Sequence, residues 1–145
     1  MIRLFPVLAG VLMLAAAFPV QAQKDIDWGV RGGVWFDGPD PLVGVEALWA
    51  LTDRIYLNPN VEVIFTDTEE IVAINADAHY DLATGGNDFI WLGAGFAALL
   101  GNNDDLGANL LAGYGLDRKR YTPYAQLKVF IGDETESSLA VGIRF

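Results

Sequence analysis

Leu139-Ala140-Val141-Gly142-Ile143-Arg144-Phe145 is the stretch that decides how the remainder of the chain reads. In an extended strand Leu139, Val141, Ile143 and Phe145 share one face, and Ala140, Gly142 and Arg144 share the other. The first face is continuously apolar. The second is small apart from one cation, and the stretch closes on an aromatic ring. Such a strand suits a boundary where one side meets hydrocarbon and the other a narrow polar interior.

Working upstream, the same alternation recurs between turn-rich links such as Asp37-Gly38-Pro39-Asp40-Pro41, Thr84-Gly85-Gly86-Asn87-Asp88 and Gly101-Asn102-Asn103-Asp104-Asp105. Eight strands are predicted: Asp27–Phe36, Leu42–Leu51, Ile55–Phe65, Ile71–Leu82, Phe89–Leu100, Leu106–Leu116, Tyr121–Gly132 and Leu139–Phe145. Most have the ~9–11 residues of a tilted membrane-crossing strand. An even number of strands joined by short links predicts an all-β, eight-stranded, antiparallel up-and-down barrel. Pro59 removes a ladder hydrogen bond from the third strand, and a bulge is expected there.

The two faces differ in chemistry. One carries Trp28, Val30, Val34, Val43, Val45, Ile55, Leu57, Ile74, Leu110 and Leu127, and, as read here, Phe89, Trp91, Gly93, Gly95, Ala97 and Leu99; it holds no charged residue, Asn, Gln, Ser or Thr. The other holds Arg31, Glu46, Asn58, Asn60, Glu62, Asn75, Asp77, His79, Asn109, Gln126, Lys128 and Arg144 among glycines and alanines, Ala94 included. Small residues with a few paired charges suit the inside of an eight-stranded barrel, which has little room. A soluble lipocalin-like carrier would need the faces swapped and a far more charged exterior.

Composition sets limits. The chain of 145 residues has no Cys, which excludes disulfides and thiolate chemistry. A formal charge of -10 argues against nucleic acid as a partner, and a hydrophobic fraction of 52% needs an apolar surrounding. Residues 1–22 read as a cleaved signal peptide: a short positive start at Arg3, an apolar run from Leu4 to Phe18, then Val20-Gln21-Ala22. The single barrel domain is then 23–145.

If odd strands rise from the periplasm, Trp28, Trp49, Tyr80, Phe89, Trp91, Tyr114, Tyr121 and Phe145 gather at the lower rim as an aromatic girdle. The upper links carry Asp37, Asp40, Asp67, Glu69, Glu70, Asp104, Asp105, Asp133, Glu134 and Glu136 with no Lys or Arg, whereas the lower ones carry Arg54, Arg118, Lys119 and Arg120 beside Asp53, Asp88 and Asp117. An acidic rim is ordinarily a solvated face; oxygen ligands of this type also suit Mg²⁺ or Ca²⁺ from a lipopolysaccharide layer.

Inside, a cationic wall (Arg31, Lys128, Arg144) faces an anionic wall (Glu46, Glu62, Asp77), predicting cross-lumen salt bridges that plug the barrel. Replacing Glu46 or Arg31 alone is expected to destabilise more than replacing both. His79 is read as a structural pair with Asp81, because Ser137 and Ser138 lie at the opposite end of the strands. Trp35, Ile64, Ile71, Phe96, Leu100 and Phe130 are placed inward near the upper rim, as core filling or as a small apolar pocket. With one His and no Cys, no metal site is expected, nor any cofactor.

On these strands, and above all on Leu139, Val141, Ile143 and Phe145, the chain resembles the small eight-stranded outer-membrane barrels of the OmpA-transmembrane and OmpX type. The resemblance implies that those four residues form the assembly signal read by the outer-membrane assembly machinery. It further implies outer-membrane lipid and lipopolysaccharide as surroundings, in a Gram-negative-type bacterium, and a monomer. The expected function is structural, in envelope integrity, with no catalysis. The alternatives are a binding or passage module for small hydrophobic molecules, of OmpW-like type, and the periplasmic lipocalin-like carrier. The links at the upper end are shorter than usual in that family.

Overall fold

The computed structural model describes residues 26–145; the signal-peptide reading at 1–22, and the start of the domain at 23–25, lie outside the described residues. Eight strands follow in order: β1 Ile26–Trp35, β2 Asp40–Ala50, β3 Ile55–Phe65, β4 Glu70–Ala83, β5 Asp88–Leu100, β6 Asp105–Leu116, β7 Thr122–Ile131 and β8 Thr135–Arg144. Each pairs antiparallel with the next, and β8 returns to β1, so the sheet closes as a barrel. The sequence placed the start of β8 at Leu139; pairing with β7 extends it back to Thr135, opposite Ile131. No described helix is long and apolar enough to cross a membrane.

Closure is continuous along the seam. β1 and β8 pair from Gly29↔Arg144 to Trp35↔Ser138. Beyond the lower end, Trp28 and Phe145 exchange backbone hydrogen bonds of 3.1 and 2.8 Å, and at the top Phe36 N–H donates to the Ser137 carbonyl at 2.8 Å. No open edge remains along this seam to pair with another chain.

Two expectations are corrected. The register of β2 on β3 is the same on either side of Pro59, from Leu42↔Ile64 to Ala50↔Tyr56, and β3 on β4 runs through Pro59↔Ala76 without a break. There is no bulge. The reason is local: the side-chain amide of Asn58 donates to the Ala47 carbonyl at 2.9 Å, supplying the donor that the ring of Pro59 removes.

The second correction is the phase of β5. Trp91, Ala97 and Leu99 face the lumen, with Trp91 wholly buried, while Ile90, Leu92, Ala94 and Phe96 face outward. Phe96 is 75% exposed. Volume decides the phase. A Cβ on Gly95 would come within 2.3 Å of an Asp77 carboxylate oxygen, and one on Gly113 within 2.1 Å of the Trp91 ring. The glycines of β5 therefore make room for the polar side chains of β4, and Trp91 occupies the space that Gly113 leaves. Phe96 lies opposite Ala76 and Ala108, halfway along the strands. Phe96→Arg should cost about 2–4 kcal/mol in vesicle refolding; an unchanged stability would mean that position 96 faces the lumen.

On the remaining strands the exterior is apolar, with Val30, Val45, Ile74, Leu110, Leu127 and Val141 all exposed. Trp28, Tyr80, Tyr114, Tyr121 and Phe145 stand outward at the lower end, and Trp49 is half-buried. Phe89 and Trp91 leave the girdle, because both turn into the lumen with β5, where their rings pack 5.5 Å apart.

Candidate functional site

The lumen is where the chain concentrates its chemistry, and it is built in three layers. The upper layer is apolar: Trp35, Leu42, Ile64, Ala73, Ala97, Leu99, Phe130 and Ala140 pack together, with Ile71 against them. Trp35 and Phe130 meet at a ring distance of 6.4 Å. Of the six residues expected to line an apolar pocket, Trp35, Ile64, Ile71 and Phe130 belong to this layer. Phe96 faces lipid and Leu100 shares its side of β5, since both follow the corrected phase.

The middle layer carries the charges. Lys128 Nζ donates to both oxygens of Glu62 at 3.1 and 3.0 Å, and Arg31 Nε lies 3.2 Å from Glu62. Arg144 Nε donates to Glu46 at 3.0 Å, whereas Arg31 reaches Glu46 only at 3.9 Å. β7 and β8 are thereby tied to β3 and β2 across the lumen, and all five side chains are excluded from solvent. The expected pairing of Arg31 with Glu46 is present at 3.9 Å, but the closer partner of Glu46 is Arg144. The guanidinium of Arg144 meets the carboxylate at the better distance, and Arg31 is drawn toward Glu62 instead.

Asp77 is a further departure. Among the described residues it makes no ion pair. Its oxygens accept from Asn60 at 3.0 Å and from Asn109 at 2.8 Å. The Asn60 and Asn109 amides continue into Asn75, which donates to Asn60 at 2.9 Å and accepts from Asn109 at 2.9 Å. A buried carboxylate is stabilised by amide donors as well as by a cation, provided its lone pairs are met. The sequence signal was available, since all three asparagines share the inner face with Asp77.

The lower layer is an aromatic floor that the sequence does not single out. Tyr124 donates its hydroxyl to Glu46. The Arg144 guanidinium lies 4.2 Å from the Tyr124 ring centre and 4.9 Å from that of Trp91. Trp91 Nε1 donates to Gln126 at 3.2 Å, and His79 stacks on the Trp91 ring at 5.7 Å. His79 is not bonded to Asp81, as the sequence suggested; the ring of Trp91 is its neighbour, and its Nε2 has no hydrogen-bond partner among the described residues. Ser138 pairs with Trp35 near the top and His79 with Tyr56 near the bottom, so serine and histidine do not meet.

The rim above the upper layer is tied together by carboxylates that accept backbone amides. Glu69 accepts from Asn102, and Asp105 accepts from Asp133 at 3.0 Å. Carboxylate oxygens of Asp37, Glu134 and Glu136 come within 4.8 Å of one another. Asp37 and Glu134 are exposed, and exposed acidic groups of this kind are common without an ion.

No protein-family model and no curated protein sequence matches the chain. Solved structures do. The N-terminal β-barrel domain of Pseudomonas aeruginosa OprF superposes with a TM-score of 0.67 at 22% identity, over 83% of this chain and 96% of that one. Neisserial surface protein A gives 0.64 at 11% identity, over 82% and 94%. The outer-membrane enzyme PagL gives 0.64 at 13% identity, over 82% and 98%. The chain has the fold of the small eight-stranded outer-membrane barrels, and its apolar belt faces outward as theirs must. One expectation falls with this comparison. The sequence reading expects no catalysis, yet PagL, which shares the eight-stranded barrel fold, is an outer-membrane enzyme. Bareness of architecture excludes no catalysis.

Proposed function

We propose that this outer-membrane barrel is a structural component of the envelope, with a lumen packed shut by its own side chains. The observation that carries the proposal is the stacking of an apolar layer, a charge layer and an aromatic floor, whose principal members, Ile64, Glu62 and Trp91, are each no more than 1% exposed. Eight-stranded barrels have interiors just wide enough for side chains to fill. The reading as a passage for small apolar molecules loses Phe96 and Leu100 from its lining and gains no observation in return. A lipocalin-like carrier is disfavoured because the apolar face is the outer one.

In planar bilayers the reconstituted barrel should give no stable conductance, and discrete open steps would sink the plug. A deletion strain should become sensitive to detergents and large hydrophobic antibiotics; unchanged resistance would remove the envelope role. The natural surroundings are outer-membrane lipid and lipopolysaccharide, with the barrel a monomer inserted by the assembly machinery through Leu139, Val141, Ile143 and Phe145. Export is proposed to run through residues 1–22. N-terminal sequencing of the mature protein should begin at Gln23.

A further inference from the structure

The turn between β6 and β7 stands apart from the rest of the molecule electrostatically. It holds Arg118, Lys119 and Arg120 in succession, all exposed, in a chain of net charge -10. Arg118 N–H donates to the Tyr121 carbonyl at 3.2 Å, which leaves Lys119 and Arg120 as the two-residue tip of a tight hairpin. No ion pair among the described residues involves any of the three. Asp117 begins the turn, its backbone N–H donating to the Asn87 carbonyl at 2.7 Å, and its carboxylate forms no ion pair among the described residues. The other two turns at this end differ: 51–54 has one cation, Arg54, beside Asp53, and 84–87 has none.

We propose that this turn binds the phosphates of anionic phospholipid headgroups in the periplasmic leaflet. Three observations converge on lipid rather than on a distant polymer. Tyr121 and Tyr114, both exposed on the outer face, mark the membrane boundary immediately beside the turn. The tip extends only a residue or two past Tyr121, roughly 3.4 Å per residue, so its cations lie in the headgroup plane and not beyond it. The turn shares its end of the barrel with both the start of β1 and the end of β8, the end that the sequence reading assigns to the periplasm. The opposite rim repeats the contrast, since its links contain carboxylates and no Lys or Arg. The two ends thus meet lipid through unlike charges, and the basic turn anchors the barrel axially in one orientation. The inference rests on the outer-membrane reading but not on the closed lumen, and the two fail separately.

The test uses the full mature barrel in nanodiscs of phosphatidylethanolamine with phosphatidylglycerol, followed by native mass spectrometry of the lipids retained. Wild type should keep phosphatidylglycerol over phosphatidylethanolamine by roughly fivefold or more, and the preference should fall with added salt. Lys119→Gln with Arg120→Gln should reduce the ratio toward one, and adding Arg118→Gln should abolish the preference. Both variants should keep the wild-type melting transition, because the changed side chains are exposed. Arg54→Gln should leave the preference intact. The proposal is overturned if wild type has no preference or if the triple variant retains it. It is equally overturned if the turn selects lipid A over phosphatidylglycerol, or if purified cell-wall sacculi, and not lipid, distinguish wild type from the triple variant.

Discussion

Glu46→Ala should lower the unfolding free energy of the barrel by about 3–5 kcal/mol. Glu46 is 2% exposed and receives Arg144, Tyr124 and Asn58 directly, with Arg31 at 3.9 Å. Truncation leaves the Arg144 guanidinium buried with no carboxylate, since its other close neighbours are the rings of Tyr124 and Trp91. The charge penalty and the lost hydrogen bonds act together. Glu46→Leu combined with Arg144→Met should therefore cost less than the sum of the single changes, because the double variant buries no unpaired charge. Urea unfolding in phospholipid vesicles, with heat-modifiable migration on a gel as a second readout, checks this. Strictly additive losses would mean that the pair contributes nothing as a pair. Arg31→Met should couple more weakly to Glu46 than Arg144→Met does, as the distances require.

Trp91→Ala should cost about 3–5 kcal/mol, and Trp91→Phe distinctly less. Trp91 is fully buried, lies beneath Arg144, stacks with His79, meets Tyr124 edge-on at 5.6 Å and donates to Gln126. Removing the indole opens the floor of the lumen and leaves Gln126 without that donor. A belt tryptophan at the lipid boundary would behave differently, losing a smaller amount and leaving the interior untouched. Indole fluorescence is a second check: lipid-borne quenchers should reach Trp28 but not Trp91. Gly113→Val should destabilise by about 1–3 kcal/mol through the same contact, and wild-type stability in that variant would contradict the packing of Trp91 on Gly113.

The error on β5 explains how far sequence reasoning reached. In β1, β2, β3, β4, β6, β7 and β8, at least one charged or amide side chain announces which face is inside. Arg31, Glu46, Glu62, Asp77, Asn109, Lys128 and Arg144 serve this purpose, one per strand. β5 has no such marker between Phe89 and Leu100, and both of its faces are apolar or small. Hydrophobicity alone leaves its phase undetermined, and the steric fit of Gly93 and Gly95 against His79 and Asp77 settles it.

Alternation and the uniformly uncharged face were enough for the strand count, the closed barrel and the lipid-facing exterior of every strand but β5, because these depend on transfer free energies that each strand expresses locally. The partners inside the lumen were beyond that reach. Arg144 meets Glu46 across a separation of 98 positions, and Lys128 meets Glu62 across 66, distances fixed by the stagger of closure rather than by any local pattern. Likewise Asp77 takes asparagines instead of a cation because β3 and β6 bring Asn60 and Asn109 to it. Which charges pair, and which ring fills the floor, is a matter of register and volume, and only the closed barrel sets both.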